Sequence, residues 1–128
     1  MSNLVLDASA LLAILHEEPG SAQWAQAVGE SVISAVNFSE VIAKLAEVGM
    51  AESQIRGILD PLGLEVAPFD TASAWTAGLL RPSTRFAGLS FADRACLALA
   101  RQTKLPVLTA DQAWKRPRLG LQIRLLRP

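Results

Sequence analysis

One cysteine and one histidine are the only thiol and imidazole side chains in this 128-residue sequence. Cys96 alone makes neither an internal disulfide nor a thiolate metal site. It sits in the helical run Arg94-Ala95-Cys96-Leu97-Ala98-Leu99, where a small buried hydrophobe is expected rather than a nucleophile. His16 stands beside Glu17 and Glu18 at an exposed helix end, which leaves a Ser-His-Asp mechanism without its base. The Gly-rich phosphate loop of Walker type is missing, and this argues against nucleoside-triphosphate chemistry. No apolar stretch reaches the ~18 residues of a membrane span. Met1-Ser2-Asn3-Leu4 has no charged segment leading into an apolar run, so no signal peptide is expected and a reducing cytoplasm is the default location.

Acidic residues are also scarce, but only in one half. Residues 1–70 hold ten acids and two bases, Lys44 and Arg56, whereas residues 71–128 hold ten bases and two acids, Asp93 and Asp111. The zero net charge hides this asymmetry, which points to a polyanion or polar protein partner more than to a neutral small substrate. Arg81, Arg85, Arg116 and Arg118 are candidate phosphate contacts. The length suits one domain spanning 1–128. Half of the residues are apolar and the mean hydropathy is +0.30, a surplus that a homo-oligomer interface or a partner groove would absorb.

Short apolar runs alternate with longer helical patterns. Strands are expected at Leu4-Val5-Leu6, 31–34, 64–67, 107–108 and 121–125. Helices are expected over 8–18, 21–28, 38–48, 52–62, 71–80 and 91–102, with a short turn near Ala113-Trp114 and a loop over 81–88. This is an α/β fold with a mostly parallel five-stranded sheet and helices on both faces. Such sheets bind ligands at the carboxyl ends of their strands. That rule gathers four acids on one edge: Asp7 after strand one, Glu40 early in the helix after strand two, Asp93 in the first turn of the helix before strand four, and Asp111 after strand four.

Each acid also has a capping role available. Asn37-Phe38-Ser39-Glu40 fits a capping box with Asn37 as N-cap, and Ser90-Phe91-Ala92-Asp93 has the same spacing. Asp7, Asp70 and Asp111 can cap the turns behind them. Capping explains helix starts but not confinement to one edge. Clustered carboxylates repel one another unless a cation compensates. Arg94 is one candidate, and a divalent ion is the more economical one. An all-oxygen donor set selects Mg²⁺ or Mn²⁺ over Zn²⁺, and such an ion beside a basic surface is apparatus for phosphodiester hydrolysis.

The segments Leu4-Val5-Leu6-Asp7-Ala8-Ser9, Asn37-Phe38-Ser39-Glu40-Val41, Leu89-Ser90-Phe91-Ala92-Asp93-Arg94-Ala95-Cys96-Leu97-Ala98-Leu99-Ala100 and Leu108-Thr109-Ala110-Asp111 strongly resemble the PIN-domain family, most closely its VapC-type toxins of prokaryotic toxin–antitoxin pairs. The resemblance runs through the whole chain in the same order. It implies a single PIN-like domain acting as a Mg²⁺- or Mn²⁺-dependent endoribonuclease on cellular RNA. It further implies a homodimer held inactive by a cognate antitoxin, with no membrane association. By this resemblance Asp7, Glu40, Asp93 and Asp111 form the catalytic, metal-holding quartet, Ser9 and Thr109 supply hydroxyls, and Asn37 shapes the site. Ala92 replaces a Gly common before the third acid, and Gln112 an Arg often found after the fourth. Where many relatives carry a further acid, Trp114, Lys115 and Arg116 follow, so one resident ion is as compatible as two.

Two other classes compete. A non-cleaving RNA- or partner-binding module of the same fold gains nothing from four carboxylates on one edge. A phosphatase of the haloacid-dehalogenase kind needs a second Asp two residues after the first, and that position is Ser9.

Overall fold

The computed structural model describes residues 1–127. Leu4–Leu6 (β1), Ser31–Ser34 (β2), Glu65–Ala67 (β3), Val107–Thr109 (β4) and Ile123–Leu125 (β5) form one sheet in the order β3-β2-β1-β4-β5, with every neighbouring pair parallel. All three residues of the central strand β1 are buried, as expected of a strand covered on both faces. Side chains alternate between those faces. Leu4, Leu6, Ile33 and Leu108 join one core with Leu11 of Ala8–Leu15 (α1), Val41 and Leu45 of Ala35–Glu47 (α2) and Ile55 of Glu52–Leu59 (α3). Val5, Val32 and Val107 join the other with Trp114 and with Cys96 and Leu97 of Phe91–Thr103, which is α6. Thr71–Leu79 (α4) packs against α6. The parallel, doubly covered sheet expected from the alternation of patterns is the one observed.

The chain builds β1, β2 and β3 outward to one side, then returns to lay β4 on the opposite side of β1. The topological switch therefore lies between β1 and β4, and their carboxyl ends open a crevice there.

Several boundaries differ from the sequence expectation, each for a local reason. The Ser34 hydroxyl at the end of β2 accepts from the Val36 N–H at 3.2 Å, so strand passes into α2 at Ala35 with no loop. Asn37 is therefore not the N-cap but lies inside the first turn. Helix α1 stops at Leu15, and Glu17 turns left-handed with φ 52°. Residues Ala22–Glu30 form a 3₁₀ helix rather than an α-helix. Trp24 and Ala27, three residues apart, both pack on the first core, and a three-residue repeat brings them to one side. The expected loop over 81–88 is instead a helical turn, Arg81–Thr84 (α5), running into a 3₁₀ turn, Arg85–Ala87. Pro82 is tolerated there because the first turn has no use for its missing N–H, and Gly88 ends the segment at φ 72°.

Candidate active site

Asp7 directly follows β1 and is 4% exposed. As N-cap of α1 it accepts the Ala10 N–H at Oδ1, 2.7 Å away. Ser9 Oγ lies 2.8 Å from both carboxylate oxygens, and Thr109 Oγ1 donates to Oδ2 at 2.7 Å. Those two hydroxyls are themselves held by the other side of the switch. Ala110 N–H donates to Ser9 Oγ at 3.1 Å, and Asp111 N–H donates to Thr109 Oγ1 at 3.0 Å. The corner after β1 and the corner after β4 are thus bolted together through Ser9 and Thr109. Burial pushes the Asp7 carboxyl from its ordinary 3.8 up to about 6. Hydrogen bonds from Thr109, Ala10 and Ser9 oppose the rise, and the charge of Asp93 adds to it.

Asn37 is 1% exposed and joins α2 to the start of α6. Its Nδ2 donates to the Ala92 carbonyl at 2.9 Å and to Glu40 Oε1 at 3.1 Å. Both partners are acceptors, which fixes the orientation of the amide. Its Oδ1 is then left buried without a partner among the described residues. Asp93, at the third position of α6, accepts the Ser90 N–H at 2.9 Å, while Ser90 Oγ accepts the Asp93 N–H at 3.1 Å. This is the capping box expected from the spacing. Asp111 accepts the Ala113 N–H at 2.9 Å and caps the short turn Gln112–Lys115.

Asp7, Ser9, Asn37, Glu40, Asp93 and Asp111 all line one small cleft of about 110 Å³. Carboxylates as far apart in sequence as 7 and 111 thus share one concavity at the switch point. Among the described residues no group of three Asp, Glu, His or Cys side chains is set to hold a metal ion directly. Each carboxylate is instead turned onto a neighbouring donor of its own. The cleft nonetheless suits a hard, hydrated cation. Its carboxylates offer oxygen donors, one of them with its pKa raised by burial, and the unpartnered Asn37 carbonyl oxygen would be satisfied by a cation or by one of its waters. Mg²⁺ keeps several of its waters, so protein ligands need not close on it from every side.

Other expectations resolve differently. Arg94 does not compensate the acids. Its Nη1 donates to the Ala77 carbonyl at 3.0 Å and its guanidinium lies 5.9 Å from the Phe91 ring, because the helical turn aims position 94 at α4. Arg81, Arg85, Arg116 and Arg118 are exposed and do not line the cleft. His16 is exposed at the end of α1. Cys96 is buried, its Sγ 3.7 Å from the Leu6 carbonyl oxygen, and burial pushes its thiol well above the ordinary value. Ala92 has a role that its side chain does not announce: its main-chain carbonyl anchors Asn37.

A family model for the PIN domain matches residues 4–119. The chain belongs to the PIN-domain family. No curated protein matches it. Solved structures share the fold at low identity. A DNA-bound VapBC complex from Salmonella typhimurium contains a chain that aligns with TM-score 0.76 and 21% identity over 98% of this chain and 99% of that one. A VapBC complex from Rickettsia felis, bound to a promoter DNA fragment, gives 0.73 and 18% over 95% and 97%. A toxin–antitoxin complex from Klebsiella pneumoniae gives 0.70 and 19% over 84% and 86%. Among the described residues of this PIN domain no helix is long and apolar enough to cross a membrane.

Proposed function

We propose that this PIN domain is a Mg²⁺- or Mn²⁺-dependent endoribonuclease, acting as the toxin of a type II toxin–antitoxin pair. The observation that carries the reading is the single cleft lined by Asp7, Glu40, Asp93 and Asp111 at the β1/β4 switch. These four carboxylates would hold the cation, with the Asn37 Oδ1 as a neutral oxygen beside them. A bound divalent ion supplies an activated water and neutralises charge at the scissile phosphate. The chain's own contribution is preorganisation. Ser9, Thr109 and the Ala10 N–H fix the Asp7 carboxylate, and Asn37 fixes Glu40 relative to the turn that carries Asp93. A bound cation would displace the proton that burial holds on Asp7 up to about pH 6 in the metal-free chain.

The toxin role and an antitoxin partner rest on the solved PIN-fold chains found in VapBC and toxin–antitoxin complexes. Open apolar surface supports protein partners, a homodimer among them: Trp75 and Leu79 on α4 are 68% and 72% exposed. Expression of the chain in a bacterial host, alone and with the product of its neighbouring reading frame, tests the role. Growth arrest relieved by the neighbour, with RNA cleavage stopped by EDTA and restored by Mn²⁺, is expected. Growth arrest with intact RNA would overturn the reading.

A further inference from the structure

Phe86 is left 60% exposed, and the Arg116 guanidinium lies over its ring 5.3 Å from the centroid. The pair joins the two segments that carry the basic-half acids. Phe86 lies in the 3₁₀ turn that leads through Gly88 into the Ser90–Asp93 capping box, and Arg116 follows the turn capped by Asp111. Buried neighbours anchor the backbone on either side of each. Thr84 and Leu89 flank Phe86 in sequence and are buried, and the Thr84 hydroxyl donates to the Leu80 carbonyl at 2.8 Å. Trp114 and Pro117 flank Arg116 and are buried as well. The backbone that carries ring and cation is thus anchored, and the two side chains already face each other without a ligand, which lowers the ordering cost of binding.

A second aromatic–arginine pair shows what is unusual about this one. At Phe91, Arg94 is committed to the Ala77 carbonyl. Among the described residues, the Arg116 guanidinium has neither a hydrogen-bond nor an ion-pair partner, since the ion pairs are Arg56–Glu52 and Arg127–Glu18. Arg81, Arg85, Lys115 and Arg118 are exposed on the same two segments. An open ring among unneutralised cations suits a ligand with both a π-face and negative charge.

We infer that Phe86 and Arg116 form a platform on which one unpaired base of single-stranded RNA stacks, with Arg116 also pairing a backbone phosphate. Aromatic stacking and arginine contacts are the usual means of gripping splayed RNA bases. The inference rests on the ribonuclease reading for its substrate class and adds residues outside the acidic cleft, on the segments that carry Asp93 and Asp111, that grip the strand.

Binding is measured in EDTA, in an Asp93→Asn background, using a short single-stranded RNA that carries 2-aminopurine. Phe86→Leu keeps an apolar side chain but removes the ring. It should weaken binding about ten-fold and abolish the 2-aminopurine quench, leaving the salt dependence unchanged. Phe86→Trp should retain affinity. Arg116→Ala should lower the slope of log affinity against log salt by about 0.7, the value of one single-strand phosphate contact. Unchanged affinity and quench in Phe86→Leu would overturn the inference, and if Phe86→Leu with Asp93 intact cuts RNA at the wild-type sites in Mn²⁺ the nuclease reading stands without it. RNA bound through Phe86 but never cut in Mn²⁺ by the chain with Asp93 intact would do the reverse. Unchanged RNA binding with a weakened complex to the neighbouring frame's product would make the face a protein contact, and the RNA assignment would fall.

Discussion

Thr109 donates from Oγ1 to Oδ2 of Asp7 at 2.7 Å, joining the ends of β4 and β1 across 102 residues of chain. The same oxygen accepts the Asp111 N–H, so one buried hydroxyl holds two of the acidic corners in register. Thr109→Val keeps the shape and loses both bonds. It should cost about 1–3 kcal/mol in urea unfolding, because a buried acceptor and donor lose their partner. Thr109 is also the leading influence holding the Asp7 pKa down. The acid limb of the activity profile should therefore move to higher pH in this variant, and Thr109→Ser should restore both properties.

Asp7 itself gives a pH signature. Its carboxyl titrates at about 6 in the fold against 3.8 unfolded, so the fold favours the neutral form. The stability tied to that form is whole below about pH 4 and is lost as pH rises through 6. The difference corresponds to about 3 kcal/mol at neutral pH. In metal-free buffer, Asp7→Asn should be more stable than wild type at pH 7.5, with the gap closing toward pH 4. Chemical denaturation at both pH values measures it. A stability gap independent of pH would remove burial as the cause.

Asn37→Ala removes the link from α2 to the Ala92 carbonyl and frees Glu40. The fold should survive with a loss of about 1–2 kcal/mol. Mn²⁺ affinity should fall more than stability suggests, since an orphaned oxygen and the anchor of one carboxylate disappear together. Calorimetric titration with Mn²⁺, beside a thermal melt, separates the two effects.

Much of this site was readable because it follows rules that act locally. Leu4-Val5-Leu6 had to be a buried strand, which placed Asp7 at its carboxyl end, and Ser90 with Asp93 announced a helix start that the structure bears out. Parallel-sheet topology then gathered residues 7, 40, 93 and 111 on one edge without knowledge of any contact. What could not be read depends on distant partners. Asn37 looked like an N-cap because its reach to Ala92, 55 residues away, leaves no trace in local spacing. Arg94 looked like a counter-ion because sequence proximity to Asp93 does not reveal which way a helical turn points it. The 81–88 segment looked like a loop because Pro and Gly mark breaks, and a single helical turn fits between them.

Metal-dependent RNA cleavage at the acidic cleft is tested most directly by single-turnover cleavage of one defined RNA by metal-stripped wild type, Asp7→Asn and Asp93→Asn after adding Mn²⁺. Wild type should cleave only once Mn²⁺ is present, and each variant should be slower by about 100-fold or more while its circular dichroism stays native. Cleavage by wild type in EDTA, or by both variants at the wild-type rate, would contradict it.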